Sequence, residues 1–252
     1  MFHFTNDLAC NSFFWFEKHL IRNMNWAALP KASKAIYPVI RSHCNSVGDA
    51  WPGEETISIL SGRTEKIVRS GIGGLEKFPG IRVEPYMTRR GKRSKRFSCK
   101  TPAYKKGELF PFHKDIILGA NWSLLKPTAQ ALYPVMRYFG YADFYEYADD
   151  ELSNVESEEH NGWSNFRDRE YDFCEAEQRV LCEYANIASR SYREAIADLE
   201  KYHMIKAVEE EEGKFMVYLH PPIYYKRDSL NKRIMKRRRG IVTGKQIGRA
   251  HV

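Results

Sequence analysis

At 252 residues the chain is long enough for two domains, each with its own core. Its net charge of +8 is unevenly spread, at +10 over residues 1–120, −11 over 121–225 and +9 over 226–252, which favours a polyanionic partner for the two ends and not for the middle. The five cysteines form no CxxC pair and no histidine stands at a zinc-ligand spacing, so they read as free thiols in a reducing cytosol. No apolar run reaches the length of a membrane span, and Phe13-Phe14-Trp15-Phe16 is too short for a signal peptide, so a cytoplasmic protein without membrane contact is expected.

Residues 1–22 form an N-terminal arm. Phe13, Phe16 and Leu20 share a face at helical spacing, which predicts a short helix packed on the first domain; a partner-docking arm is the alternative. Next comes an internal duplication. Asn25–Arg41, NWAALPKASKAIYPVIR, recurs as Asn121–Arg137, NWSLLKPTAQALYPVMR, with eight of seventeen positions identical. In each copy Ser33 or Thr128 is expected to cap a helix, and Pro38 or Pro134 falls about one turn inside it, removing a hydrogen bond and bending it.

Pro52–Glu84 reads as two short helices around a tight turn, followed by a strand. The first helix takes Glu54–Ser61 with Ile57 and Leu60 inward, and Gly62 supplies the positive φ of a sharp stop. Thr64 caps the second helix, which buries Val68, Ile72 and Leu75 while Arg63, Lys66, Arg69 and Ser70 face outward. Gly71 and Gly74 are expected to let a neighbouring helix approach closely, and Gly73 to leave room for a ligand backbone. The order Pro52, Thr56-Ile57, Gly62, Lys66, Val68, Ile72, Leu75-Glu76, Ile81 resembles bacterial winged helix-turn-helix modules, including those of phage and plasmid replication initiators. The resemblance implies a recognition helix for a DNA major groove, with Arg63, Thr64, Lys66, Arg69 and Ser70 expected at the groove, and a role at an origin of replication.

Ile81 and Val83 begin a strand that ends near Thr88 and returns through Gly91 into a second strand with Phe97 and Cys99 inward. Between them Arg89, Arg90, Lys92, Arg93, Lys95 and Arg96 form a basic wing for the phosphate backbone or minor groove, continued by Lys100. The second copy leads into a matching helix-turn-helix. Its first helix is expected over Glu175–Ala185, Asn186 stands at the turn, and SRSYREAIADLEKYHMI keeps Arg190 and Arg193 outward, where they could touch DNA through the helix alone. Its wing turn, Glu209–Gly213, is acidic and would repel phosphates, so this unit is expected to pair with another copy or with a replication or transcription protein.

Residues 141–172 read as an exposed acidic insertion. Asp149, Asp150, Glu151, Glu158 and Glu159 lack a calcium-loop spacing, and mimicry of DNA is a further reading of the same charges. From Lys226 the tail is basic; residues 246–252 look like a translated sequencing-library adaptor and are set aside. No nucleotide-binding loop, nickase His pair or Gly-x-Ser-x-Gly is present, so no enzyme, cofactor or metal is expected.

These expectations amount to a mainly α chain with small antiparallel β-hairpin wings, in tandem winged helix-turn-helix domains from an internal duplication. The first domain takes residues 23–118 and the second 119–225, ahead of a basic tail at 226–252. The expected function is sequence-specific binding of double-stranded DNA in replication initiation, with transcriptional regulation, or a scaffold without DNA contact, as alternatives.

Overall fold

The computed structural model describes residues 13–78, 80–88, 91, 93–99, 108–141, 170–209 and 211–219. Within them one order of elements occurs twice. The first half runs β1 (Phe13–Glu17), α1 (Lys18–Arg22), α2 (Asn25–Ala28), α3 (Lys31–Ser42), β2 (Asp49–Ala50), α4 (Glu54–Ser61), α5 (Glu65–Leu75), β3 (Ile81–Met87) and β4 (Arg93–Cys99). The second runs β5 (Leu109–His113), α6 (Asp115–Leu118), α7 (Asn121–Leu124), α8 (Pro127–Phe139), β6 (Tyr171–Cys174), α9 (Gln178–Ala185), α10 (Tyr192–Lys201), β7 (Ile205–Ala207) and β8 (Phe215–Tyr218), with a 3-10 turn at Ser189–Ser191 before α10.

The mainly α expectation is overturned. About 49% of the described residues are helical and 23% lie in strands, so the fold is mixed α/β with three small antiparallel sheets. The N-terminal aromatic run supplies one of them. Phe13–Glu17 is a strand rather than the start of a helix, because Phe14 and Phe16 alternate into the core and pair antiparallel with β5, Trp15 standing opposite Pro111. The other two sheets share a topology. β2-β4-β3 follows the first helix-turn-helix and β6-β8-β7 the second.

The halves meet at α3 and α8, and the contacts are exchanged symmetrically. Trp26 donates its indole N–H to the Ala131 carbonyl at 2.9 Å, and Trp122 donates to the Ala35 carbonyl at 2.8 Å. Arg41 donates to Trp15 O at 3.0 Å and Arg137 to Pro111 O at 3.1 Å, the two residues opposite one another at the centre of the β1–β5 ribbon. Each guanidinium also lies over a phenylalanine ring, Arg41 over Phe14 and Arg137 over Phe110. Phe16 meets Trp26 and Tyr37 edge-on, as Phe112 meets Trp122 and Tyr133. Such an exchange is the signature of a two-fold axis, here within one chain. The axis explains the identities in the repeat. Trp, Ala, Tyr and Arg recur because a self-complementary seam needs the same group on both sides.

Each helix-turn-helix is also held by the opposite half, α4 packing on α7 and α9 on α2. At Gly62, φ is +70°, and a Cβ there would meet Ser123 O at 2.0 Å. The matching turn residue, Asn186, is also left-handed at φ 51° and donates its side-chain amide to Ala27 O at 2.9 Å. Lys34 donates to Ala185 O at 2.8 Å and Ala27 O at 3.1 Å; its counterpart Gln130 donates to Ser61 O at 3.0 Å and Trp122 O at 2.7 Å.

Three further expectations are corrected. Ser33 and Thr128 lie inside their helices instead of capping them: α3 starts after Pro30, and α8 after Lys126, whose backbone N–H reaches Asp198 Oδ2 at 2.6 Å. Ser33 instead donates to Gly71 O at 2.8 Å, because Gly71 and Gly74 bring α5 against α3 as expected, a Cβ at Gly74 meeting the Ser33 hydroxyl. The acidic insertion is pinned at its ends, Tyr141 forming an isolated bridge to β6. Tyr141 and Phe173 exchange backbone hydrogen bonds at 2.8 and 2.7 Å, and residues 142–169, with the candidate carboxylate cluster, lie outside the described residues. The helix expected from Glu175 starts at Gln178, since Tyr171–Cys174 is claimed by β6. Pro38 and Pro134 do sit inside α3 and α8. No helix among the described residues is long and apolar enough to cross a membrane.

Candidate nucleic-acid interface

The first helix-turn-helix takes the geometry its residues prescribe. α4 ends at Ser61 with Gly62 in the left-handed region, and the Thr64 hydroxyl accepts the Ile67 N–H at 3.4 Å, so the cap expected of Thr64 is made. Val68, Ile72 and Leu75 are fully buried, which fixes the rotation of α5 about its axis. Lys66 and Ser70 consequently lie on the exposed side, Lys77 is exposed in the turn after the helix, and none of the three side chains has a hydrogen-bond or ionic partner among the described residues. Gly73 stands between them with nothing within 4 Å of where a Cβ would be. Ile67, 40% exposed, adds an apolar edge to this stripe.

Two arginines expected on this face are otherwise engaged. Arg63 points inward: its guanidinium donates to Leu125 O at 2.7 Å and Gln130 Oε1 at 2.6 Å, tying the turn to the second half, and burial lowers its pKa. Its expected outward position is therefore corrected; charge alone suggested exposure, but two acceptors await it inside. Arg69 is exposed yet clamped by Glu54 at 2.7 Å and Glu65 at 3.1 Å, and the Glu54 hydrogen bond raises its pKa.

The wing divides similarly. Arg93 is exposed, opposite Met87 in the β3–β4 ladder, with no internal partner among the described residues. Lys95 lies 3.8 Å from Glu76. Arg96 is a strut of the sheet: it meets Asp49 at 2.6 Å, and this bond, with one from the Ser98 hydroxyl, holds the Asp49 carboxyl below its usual range. Arg89, Arg90, Lys92 and Lys100 lie outside the described residues.

In the second unit Arg190, in the 3-10 turn, and Arg193, in the first turn of α10, are exposed and match Lys66 and Arg69. Here the clamp is missing. Gln178 and Ser189 stand where Glu54 and Glu65 stand in the first unit, and they bond each other at 2.9 Å, leaving Arg193 without an acidic partner among the described residues. The second wing carries Glu209, Glu211 and Glu212, all exposed.

Sequence reasoning missed Lys77, exposed in the turn just after α5, and the aromatic pair Trp51 and Tyr86. Their rings lie 6.4 Å apart, exposed at 44% and 39%, beside the first wing. Trp51 and Tyr86 come together only through the sheet. Among the described residues no cluster of three or more His, Cys, Asp or Glu side chains could hold a metal ion.

No protein-family model, curated protein or solved structure matches the chain.

Proposed function

We propose that the chain binds double-stranded DNA with sequence preference, laying α5 in a major groove with the first wing along the adjacent backbone. The observation that carries this reading is the outer face of α5, where Lys66 and Ser70 flank an open glycine on a helix whose opposite side is locked into the core, with Lys77 exposed in the turn that follows it. A major groove about 12 Å wide admits one helix, and hydroxyl and ammonium groups on its exposed side meet base edges and phosphates. Arg93 extends the same cationic surface onto the wing.

The internal two-fold supports a second contact. α10 stands to α8 as α5 stands to α3, so Arg190 and Arg193 would approach a neighbouring groove in the inverted sense, as the paired helices of a dimeric repressor do. The preferred duplex is then an imperfect inverted repeat, with firmer backbone contact on the side of the basic wing because Glu209, Glu211 and Glu212 repel phosphates on the other. The likeness of Pro52–Ile81 to phage and plasmid initiator modules favours an origin of replication as the target. Selection of bound duplexes from a random library tests the reading. An enriched inverted repeat, with Lys66→Ala relaxing one half and Arg190→Ala the other, is expected; a bound pool no different from the input would overturn sequence preference.

A further inference from the structure

The three-stranded sheet of the first unit carries two open rings on its outer face, where that of the second unit carries an ion pair. β4 lies between β2 and β3, with Tyr86 opposite Ser94 and Glu84 opposite Arg96. Phe97, Cys99 and Ile81 turn into the core, so strand alternation puts Arg82, Glu84, Tyr86, Ser94 and Arg96 on the outer face. Asp49 joins them there, held by Arg96 at 2.6 Å and by the Ser98 hydroxyl at 2.8 Å. Trp51, two residues further on, lies on the same side, and its ring meets that of Tyr86 across β4 at 6.4 Å with 56° between the planes. Neither the Trp51 indole N–H nor the Tyr86 hydroxyl has a hydrogen-bond partner among the described residues.

The fold does not require this pair. Trp51 stands three residues before α4, and the residue three before α9 is Glu175, which pairs with Lys214 at 3.2 Å. β3 runs for seven residues where β7 runs for three, and Tyr86 lies on the extra length. A packing role would appear in both units; this surface appears in one. Charges at its border are positive or neutralised. Arg82 and Arg93 are exposed on either side of Tyr86 along the hairpin, Asp49 is paired with Arg96, and Glu84 lies 3.6 Å from Arg82 and 4.0 Å from Arg96.

We propose that this face binds single-stranded DNA, an unpaired base stacking on Trp51 and Tyr86 with Arg82 and Arg93 against the adjoining phosphates. Indole and phenol rings offer a flat face to any base and a polar edge to its heteroatoms, and cations beside them follow the backbone. A stable protein partner buries about 800 Å² on each side. The open parts of the two rings, at 44% and 39% exposure, come to on the order of 200 Å², which suits a base and not a protein. The face is the reverse of the one packed into the core beside α5, so the site uses none of the α5 groups assigned to duplex DNA and stands independently of that assignment. A unit with both surfaces holds a duplex and a strand released beside it.

Anisotropy of a labelled oligothymidylate, which forms no duplex with itself, tests this on the full chain at low salt, with a labelled duplex titrated in parallel. The unsubstituted chain is expected to bind the oligothymidylate. Trp51→Ala and Tyr86→Ala should each weaken that binding about tenfold, the size expected for one stacked base. Trp51→Phe keeps a flat ring and should retain most of the affinity. Both alanine variants should keep their duplex affinity and their thermal transition by circular dichroism. Oligothymidylate binding that Trp51→Ala abolishes, with no duplex binding by any variant, would overturn the α5 assignment and still support this site. No oligothymidylate binding by the unsubstituted chain, equal affinity in Trp51→Ala, or parallel losses on duplex and oligothymidylate would each overturn the proposal. So would self-association in sedimentation that Trp51→Ala removes without any binding of the oligothymidylate, which would give the face to a second copy.

Discussion

Trp26 and Trp122 exchange equivalent bonds across the internal two-fold, each indole N–H held by the carbonyl of the alanine in the other's repeat, Ala131 at 2.9 Å and Ala35 at 2.8 Å. Both rings are fully buried. Replacing either by Phe leaves most of the apolar contact and removes one bond, so a loss of about 1–2 kcal/mol is expected from each. Because the seam joins the halves and each helix-turn-helix packs on the opposite half, urea unfolding should remain one transition monitored by fluorescence or circular dichroism. Two separated transitions would show that the halves unfold independently.

Arg63 and Gly62 should behave as structural residues. Arg63→Ala strands the Gln130 side-chain oxygen and the Leu125 carbonyl in partly buried positions, and a loss of about 2–3 kcal/mol is expected. Gly62→Ala adds a left-handed alanine and a collision with Ser123 O, with an expected loss above about 3 kcal/mol. Thermal denaturation of both variants checks this. An Arg63→Ala protein of unchanged stability but impaired DNA binding would return Arg63 to the outer face.

Lys34 gives the fold a pH signature. Burial, with Lys31 nearby, lowers its pKa from 10.5 to about 8. The unfolded chain therefore binds more protons than the native one between these values, and this group makes stability rise with pH across that window. Below about pH 8 the penalty is fully present, on the order of 3 kcal/mol at most. Lys34→Met should lack the rise, so the difference in urea midpoint between it and the unsubstituted chain should shift in favour of the latter from about pH 7.5 to about pH 10. Parallel pH curves would contradict the assignment.

Arg69 is held by two carboxylates, whereas Arg193 has no acidic partner among the described residues. Glu54→Gln recreates in the first unit the residue found at Gln178 and should free Arg69 for DNA. Removing one negative charge from the approach surface should tighten duplex binding about three- to tenfold at low salt, an effect of about 1 kcal/mol. Unchanged or weaker binding in an anisotropy titration would mean that the clamp positions Arg69 for its contact.

The parts of this fold most legible in the sequence are those set by local chemistry. Gly62 in its left-handed turn, Thr64 as a cap, and the buried stripe Val68, Ile72, Leu75 all follow from spacing within a few residues. The β1–β5 ribbon was not legible. An unbroken run such as Phe13–Phe16 suits either period, and its partner strand lies near residue 111. The duplication reaches back to Phe13, but between residues 13 and 24 only Phe14, Phe16, Lys18 and Ile21 keep their identity in the second copy. Arg63 was misread for a related reason. A charge on a helix-turn-helix is expected outside, and the acceptors that draw it inward, Leu125 and Gln130, belong to the other half.

The most direct test is an anisotropy titration of the full chain with a random-sequence duplex at about 50 and 200 mM salt, alongside the triple variant Lys66→Glu, Lys77→Glu, Arg93→Glu. With six phosphate contacts, affinity should fall by about three decades between the two salts. The triple variant, substituted only at exposed side chains, should fold normally and lose most binding at the lower salt. Equal, salt-insensitive signals from both proteins, or no binding by the unsubstituted chain at low salt, would contradict the assignment of the α5 face to DNA.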